Sequence, residues 1–127
     1  MTNARQIIAY KDYFLSFYEK QSGNVQAKIE WTLNLIRIMP QVPEKYFSHM
    51  TGFKGMYEIR VEVGNNIYRI FSFFDKGNLV ILANAFQKKT QKTPKQEIEK
   101  ALKIMEEYQN ELSEAFSRIP SKKNKRT

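Results

Sequence analysis

Residues 56–63, Met-Tyr-Glu-Ile-Arg-Val-Glu-Val, alternate without a slip. Tyr57, Ile59, Val61 and Val63 fall on one side; Met56, Glu58, Arg60 and Glu62 fall on the other. A period of two belongs to a strand with one buried face, and no helix presents it. Gly64-Asn65-Asn66 follows, made of residue types that tolerate the positive φ of a tight turn. Residues 67–74 return as a second run, rich in aromatic and β-branched side chains. Asp75-Lys76-Gly77-Asn78 is a second turn, and residues 79–87, LVILANAFQ, start apolar on both faces, as a central strand does. This stretch therefore folds as a three-strand antiparallel meander, and the rest of the chain has to cover it.

The covering elements show the other periodicity. Residues 5–10, RQIIAY, predict a short strand, and Tyr13, Phe14, Phe17 and Tyr18 within 11–21 take the three-and-four spacing of a helix face. Ser22-Gly23-Asn24 breaks that helix, with Asn24 as the expected cap of the next. Val25, Ile29, Leu33 and Ile36 then form one stripe over 25–39, which Pro40 and Pro43 close. The two helices predict an antiparallel hairpin, with Trp31 in core or helix packing. A last helix has a clear start: Thr93 as cap, Pro94 in the first position and Gln96 completing a capping box. Its stripe is Ile98, Ala101, Leu102, Met105, Tyr108 and Leu112. The expected fold is α+β, one domain over 1–120 in the order β-α-α-β-β-β-α, with the helices packed on one face of the sheet. Residues 121–127, SKKNKRT, predict a basic, disordered tail.

At 127 residues one domain is the simplest reading. There is no cysteine, and His49 is the single histidine. Disulfide and thiolate chemistry are excluded, as is a His/Cys metal site, and no metal or cofactor is expected. The first residues lack the pattern of a signal peptide, and no apolar run reaches about 18 residues, so the expected setting is cytoplasmic, away from membranes.

The net charge is +8, and it is unevenly spread. Residues 84–95, NAFQKKTQKTPK, hold Lys88, Lys89, Lys92 and Lys95 with no acid. Like charges at a junction between two structured elements repel, so they destabilise it unless an anion relieves them. A local basic block points to a polyanion such as nucleic acid; a plain solvated loop is the alternative. Arg60 and Arg69 flank the Gly64 turn so that a hairpin brings them to nearly facing positions. Two arrangements fit this spacing: Glu58 and Glu62 pair with Arg60, or both guanidiniums share an anion with Lys88 and Lys89, since the planar fork of arginine suits phosphate. His49, in the loop-like YFSHMTGFKG, fits either a catalytic or a surface role, and Phe71, Phe73 and Phe74 read as core.

Three motifs in order resemble the RelE/HigB-type toxins of bacterial type II toxin–antitoxin modules, closest to their phage-derived HigB-like branch. Tyr57, Glu58 and Arg60 match the first strand motif; Tyr68, Arg69, Ile70 and Phe71 the second; Phe86, Lys88, Lys89 and Thr90 the third. The likeness runs over about residues 5–112 in element order and is most specific over 53–94. It implies a RelE-like domain acting as a ribosome-dependent mRNA endonuclease, independent of metal, and a cognate antitoxin that neutralises it. It also implies that Arg60, Arg69 and Lys89, with Lys88 beside them, are the phosphate-binding and catalytic positions. Glu58 is the candidate base, or else a charge partner, and Lys54, Lys92 and Lys95 are candidate RNA contacts. The chain departs from the family where relatives often place a basic residue at Glu58, and where many place a tyrosine or histidine near Lys95. A non-catalytic nucleic-acid-binding module of the same fold is the alternative.

Overall fold

The structure, a computed structural model, describes residues 3–90 and 92–118. Pro120 and the tail at 121–127 lie outside the described residues. Five strands form one sheet: β1 (Gln6–Ala9), β2 (Phe47–His49), β3 (Met56–Val63), β4 (Asn66–Phe74) and β5 (Leu79–Lys88). Three helices complete the fold: α1 (Tyr13–Glu19), α2 (Gly23–Ile38) and α3 (Lys95–Arg118). The sheet order is β1-β5-β4-β3-β2. The class is α+β, and β3, β4 and β5 make the expected antiparallel meander. Gly64 takes φ 59° as the first residue of a two-residue turn, and Val63 pairs with Asn66 across it.

Two strands flank the meander. β1 runs parallel to β5, pairing Ile7 with Val80 and Ala9 with Leu82. β2 pairs antiparallel with β3, which makes Phe47–His49 a strand where the sequence reads as loop. Three residues are too few for a periodic signal. The element order is thus β-α-α-β-β-β-β-α.

The layering corrects a second expectation, because the helices cover both faces of the sheet. Phe14 of α1 and Val25, Ile29, Leu33 and Ile36 of α2 pack on Ile59, Val61, Tyr68, Ile70, Val80 and Leu82. Ala101 and Ile104 of α3 pack on the other face, against Met56, Phe71, Phe73, Ile81, Ala83 and Phe86. Each large apolar side chain so buried contributes about 1.5–3 kcal/mol. Both cores follow from strand alternation, which gives β4 and β5 an apolar residue on each side. A stripe of helical residues shows only that a helix packs, not which face it covers.

Local signals hold with small shifts. Ser22, not Asn24, caps α2, and its hydroxyl accepts the Val25 N–H at 3.5 Å. Pro94 sits at the start of α3, its carbonyl accepting from Glu97 and Ile98. Trp31 is not core: it is 47% exposed, edge-on to Tyr46 at 5.7 Å, with Lys28 Nζ 4.2 Å from its ring. The far half of α3 is tied down by polar contacts. Tyr13 donates to Glu107 at 2.8 Å, Tyr10 to Glu111 at 2.6 Å and Tyr108 to Asp75 at 2.5 Å. Burial, then Asp75, pushes the Tyr108 hydroxyl up to about 12.

Candidate nucleic-acid interface

On the α3 face, the turn-proximal half of the hairpin carries Glu58, Arg60, Glu62 and Arg69, with Ile67 the one apolar residue among them. Arg60 of β3 stands directly opposite Arg69 of β4, about 5 Å apart at Cα. Glu58 and Glu62 share their side of β3, and Phe86 stands opposite Arg69 on β5. Like charges facing across a ladder destabilise it unless other groups intervene.

Two carboxylates do intervene, in an arrangement the sequence left open. Glu58 pairs with the terminal nitrogen of Arg69, not with Arg60. Glu62 lies 3.6 Å from Arg60 Nε. The Glu58 and Arg69 side chains are only 13% and 11% exposed, whereas Arg60 and Glu62 are open to solvent. Among the described residues, the Nε atoms of Arg60 and Arg69 are both buried with no hydrogen-bond partner. Burial holds the Arg69 guanidinium below the ordinary arginine value. Each buried donor without a partner costs free energy until an acceptor reaches it.

A bulge in β5 selects which lysine joins this group. Ile70 pairs with Ala85 and Ser72 with Leu82, so Ala83 and Asn84 together face Phe71. The extra residue shifts the alternation by one beyond it. Phe86 and Lys88 therefore share the α3 face with Arg69; unbroken alternation would have put Gln87 there instead. Burial, then the charges of Arg69 and Arg60, lowers the proton affinity of Lys88. Lys89 follows the last residue of β5 and is exposed. The bulge also turns Asn84 toward α3, where its Nδ2 donates to the backbone oxygen and Oε1 of Glu97 at 3.1 and 3.0 Å. This contact fixes the start of α3 beside the end of β5. No periodic signal marks a bulge, so the sequence alone does not single out Asn84.

The other candidates are more dispersed. Lys92 is exposed in the loop before α3, and Lys95 is exposed in its first turn. Lys54 is exposed in the turn leading into β3, four residues before Glu58. His49 pairs with Tyr57 in register and meets its ring edge-on at 5.1 Å, on the sheet face opposite Arg60. That placement separates it from the arginine pair. A cleft of about 390 Å³ lies along α3, lined by Tyr13, Lys100, Ile104 and Glu107 among others, and does not include the arginines.

Among the described residues, no helix is long and apolar enough to cross a membrane. No curated protein matches the sequence. Residues 16–106, from within α1 through the first half of α3, match the phage-derived protein Gp49-like family (DUF891). The match contains the whole hairpin, the bulge and the lysine junction, so the chain belongs to the phage-derived Gp49-like family, which is associated with toxin–antitoxin modules.

Proposed function

We propose that this protein is the toxin of a type II toxin–antitoxin module and cuts messenger RNA on the ribosome. One observation carries the reading: Arg60, Arg69 and Lys88, from three adjacent strands, converge on one face of the sheet. Family membership and the motif resemblance support it.

RNA supplies its own nucleophile. The 2′-oxygen attacks the neighbouring phosphorus, the bond from phosphorus to the 5′-oxygen breaks, and a 2′,3′-cyclic phosphate and a 5′-hydroxyl result. Arg69 and Arg60 hold the non-bridging oxygens, where negative charge builds in the transition state. Lys88, its proton affinity lowered by burial and by two cations, gives a proton to the departing 5′-oxygen. Glu58 takes the 2′-proton once it leaves Arg69, a role that its position beside the arginine supports. Lys89, Lys92, Lys95 and Lys54 draw the RNA backbone in electrostatically. The cognate antitoxin covers this basic surface with acidic side chains.

A second reading, an RNA-binding module without catalysis, draws support from the engagement of Glu58 with Arg69. Induced expression separates the two. The nuclease reading expects growth arrest, new 5′ ends within translated messages, and relief of both by the adjacent gene. Intact messages under full induction would leave only the binding reading.

A further inference from the structure

We propose that Glu58 is a built-in stand-in for phosphate, occupying Arg69 until an RNA phosphodiester displaces it. The inference rests on the RNA-binding part of the reading above, not on cleavage.

The geometry separates the two acids of the site. Glu62 is exposed and lies 3.6 Å from Arg60 Nε, too far for a hydrogen bond. Glu58 is nearly enclosed and holds the terminal nitrogen of Arg69, the atom a phosphate oxygen would seek. A guanidinium presents five donors in a fixed fork. Glu58 reaches one nitrogen, while Arg69 Nε is buried without a partner. The fork is thus half used, and the two non-bridging oxygens of a phosphodiester can engage more of it than the single Glu58 contact does. Arg60 Nε, on the facing residue, is likewise without a hydrogen-bond partner. Both orphaned donors belong to the same facing pair, so a phosphate that takes the place of Glu58 beside Arg69 also approaches Arg60.

The exchange has two consequences. Without its carboxylate the site would hold Arg60, Arg69 and Lys88 against Glu62 alone, and would attract any polyanion. Glu58 lowers that general affinity in the free protein. An RNA positioned by other contacts can still displace the carboxylate, because the incoming phosphate replaces the charge that leaves. Glu58 thus favours positioned RNA over stray anions.

Binding tests this directly on the full-length chain with an RNA oligonucleotide whose 2′-hydroxyls are all methylated, which cannot be cut. Glu58→Gln keeps the shape and removes the charge, and is expected to bind about tenfold tighter than wild type. Glu62→Gln is expected to change affinity less than threefold. Inorganic phosphate is expected to raise the melting temperature of Glu58→Gln more than that of wild type, an effect a purely structural role would not produce. Glu58→Asp retains the charge and is expected to stay near wild type in both measurements. Equal or weaker binding by a folded Glu58→Gln protein, or no added response to phosphate, overturns the proposal. Tighter binding by Glu58→Gln with no message cutting by wild type would retain the stand-in role and reject the nuclease. Message cutting by wild type with no gain on Glu58→Gln would do the reverse.

Discussion

On the α1/α2 face of the sheet, β3 and β4 bury Ile59, Val61, Tyr68 and Ile70 under helices. On the other face, the same stretch of the same strands carries Glu58, Arg60, Glu62 and Arg69. The backbone ladder is common to both, so the difference lies in what covers each side. α3 shields Phe71, Phe73 and Ile81 and leaves the arginine half of the hairpin without apolar cover. One face illustrates stability through close packing. The other tolerates facing arginines and two orphaned Nε donors, features that add nothing to a core and suit an anion. The contrast puts the side chains that suit an anion where the helix layer ends.

The largest effect expected from disturbing this contrast is on the packed face. Ile59→Ala removes a fully buried side chain and should cost about 2–5 kcal/mol, read as a lower midpoint in denaturant unfolding. RNA affinity of the molecules that remain folded should be unchanged, and a matching loss of both would show that the faces are not independent. A smaller effect is expected at the seam between the faces. Asn84→Ala removes the contacts to Glu97 and should cost about 1 kcal/mol, with faster amide exchange in the first turn of α3. Exchange that accelerates evenly across the sheet would show that Asn84 does not act on α3 in particular.

The smallest effect is a titration. Lys88 should lose its proton below the ordinary lysine value of 10.5, because burial and two neighbouring cations disfavour its ammonium. Below its midpoint Lys88 is charged, and above it neutral. Arg69→Ala removes one of those cations, so the midpoint should move up. Side-chain nitrogen chemical shifts followed against pH report it, and a downward or absent shift would separate Lys88 from the arginine pair.

Much of this architecture is legible in the sequence. The strict alternation of 56–63 gave both faces of β3, and the turn at Gly64 brought Arg60 and Arg69 opposite each other. The short β2 strand, the side of the sheet that α3 covers, and the bulge at Ala83–Asn84 were not legible. Each depends on contacts between distant segments that leave no local period. The bulge matters most, because it decides which of two adjacent lysines faces the arginines. The partner of Glu58 was hidden for the same reason: spacing along β3 favoured Arg60, and only the cross-strand geometry showed Arg69. Trp31, an apolar residue in a helix, is read as packed by default, yet lies half outside on the α2 surface.

Arg69 is the residue on which the proposed activity turns, and its removal tests that claim most directly. Purified wild type and Arg69→Ala should be compared in a reconstituted translation reaction, following cleavage of one message on the ribosome. The expected result is rapid cutting by wild type and a rate lower by about 10²-fold for Arg69→Ala, with both proteins equally folded. Equal cutting by the two proteins would contradict the account.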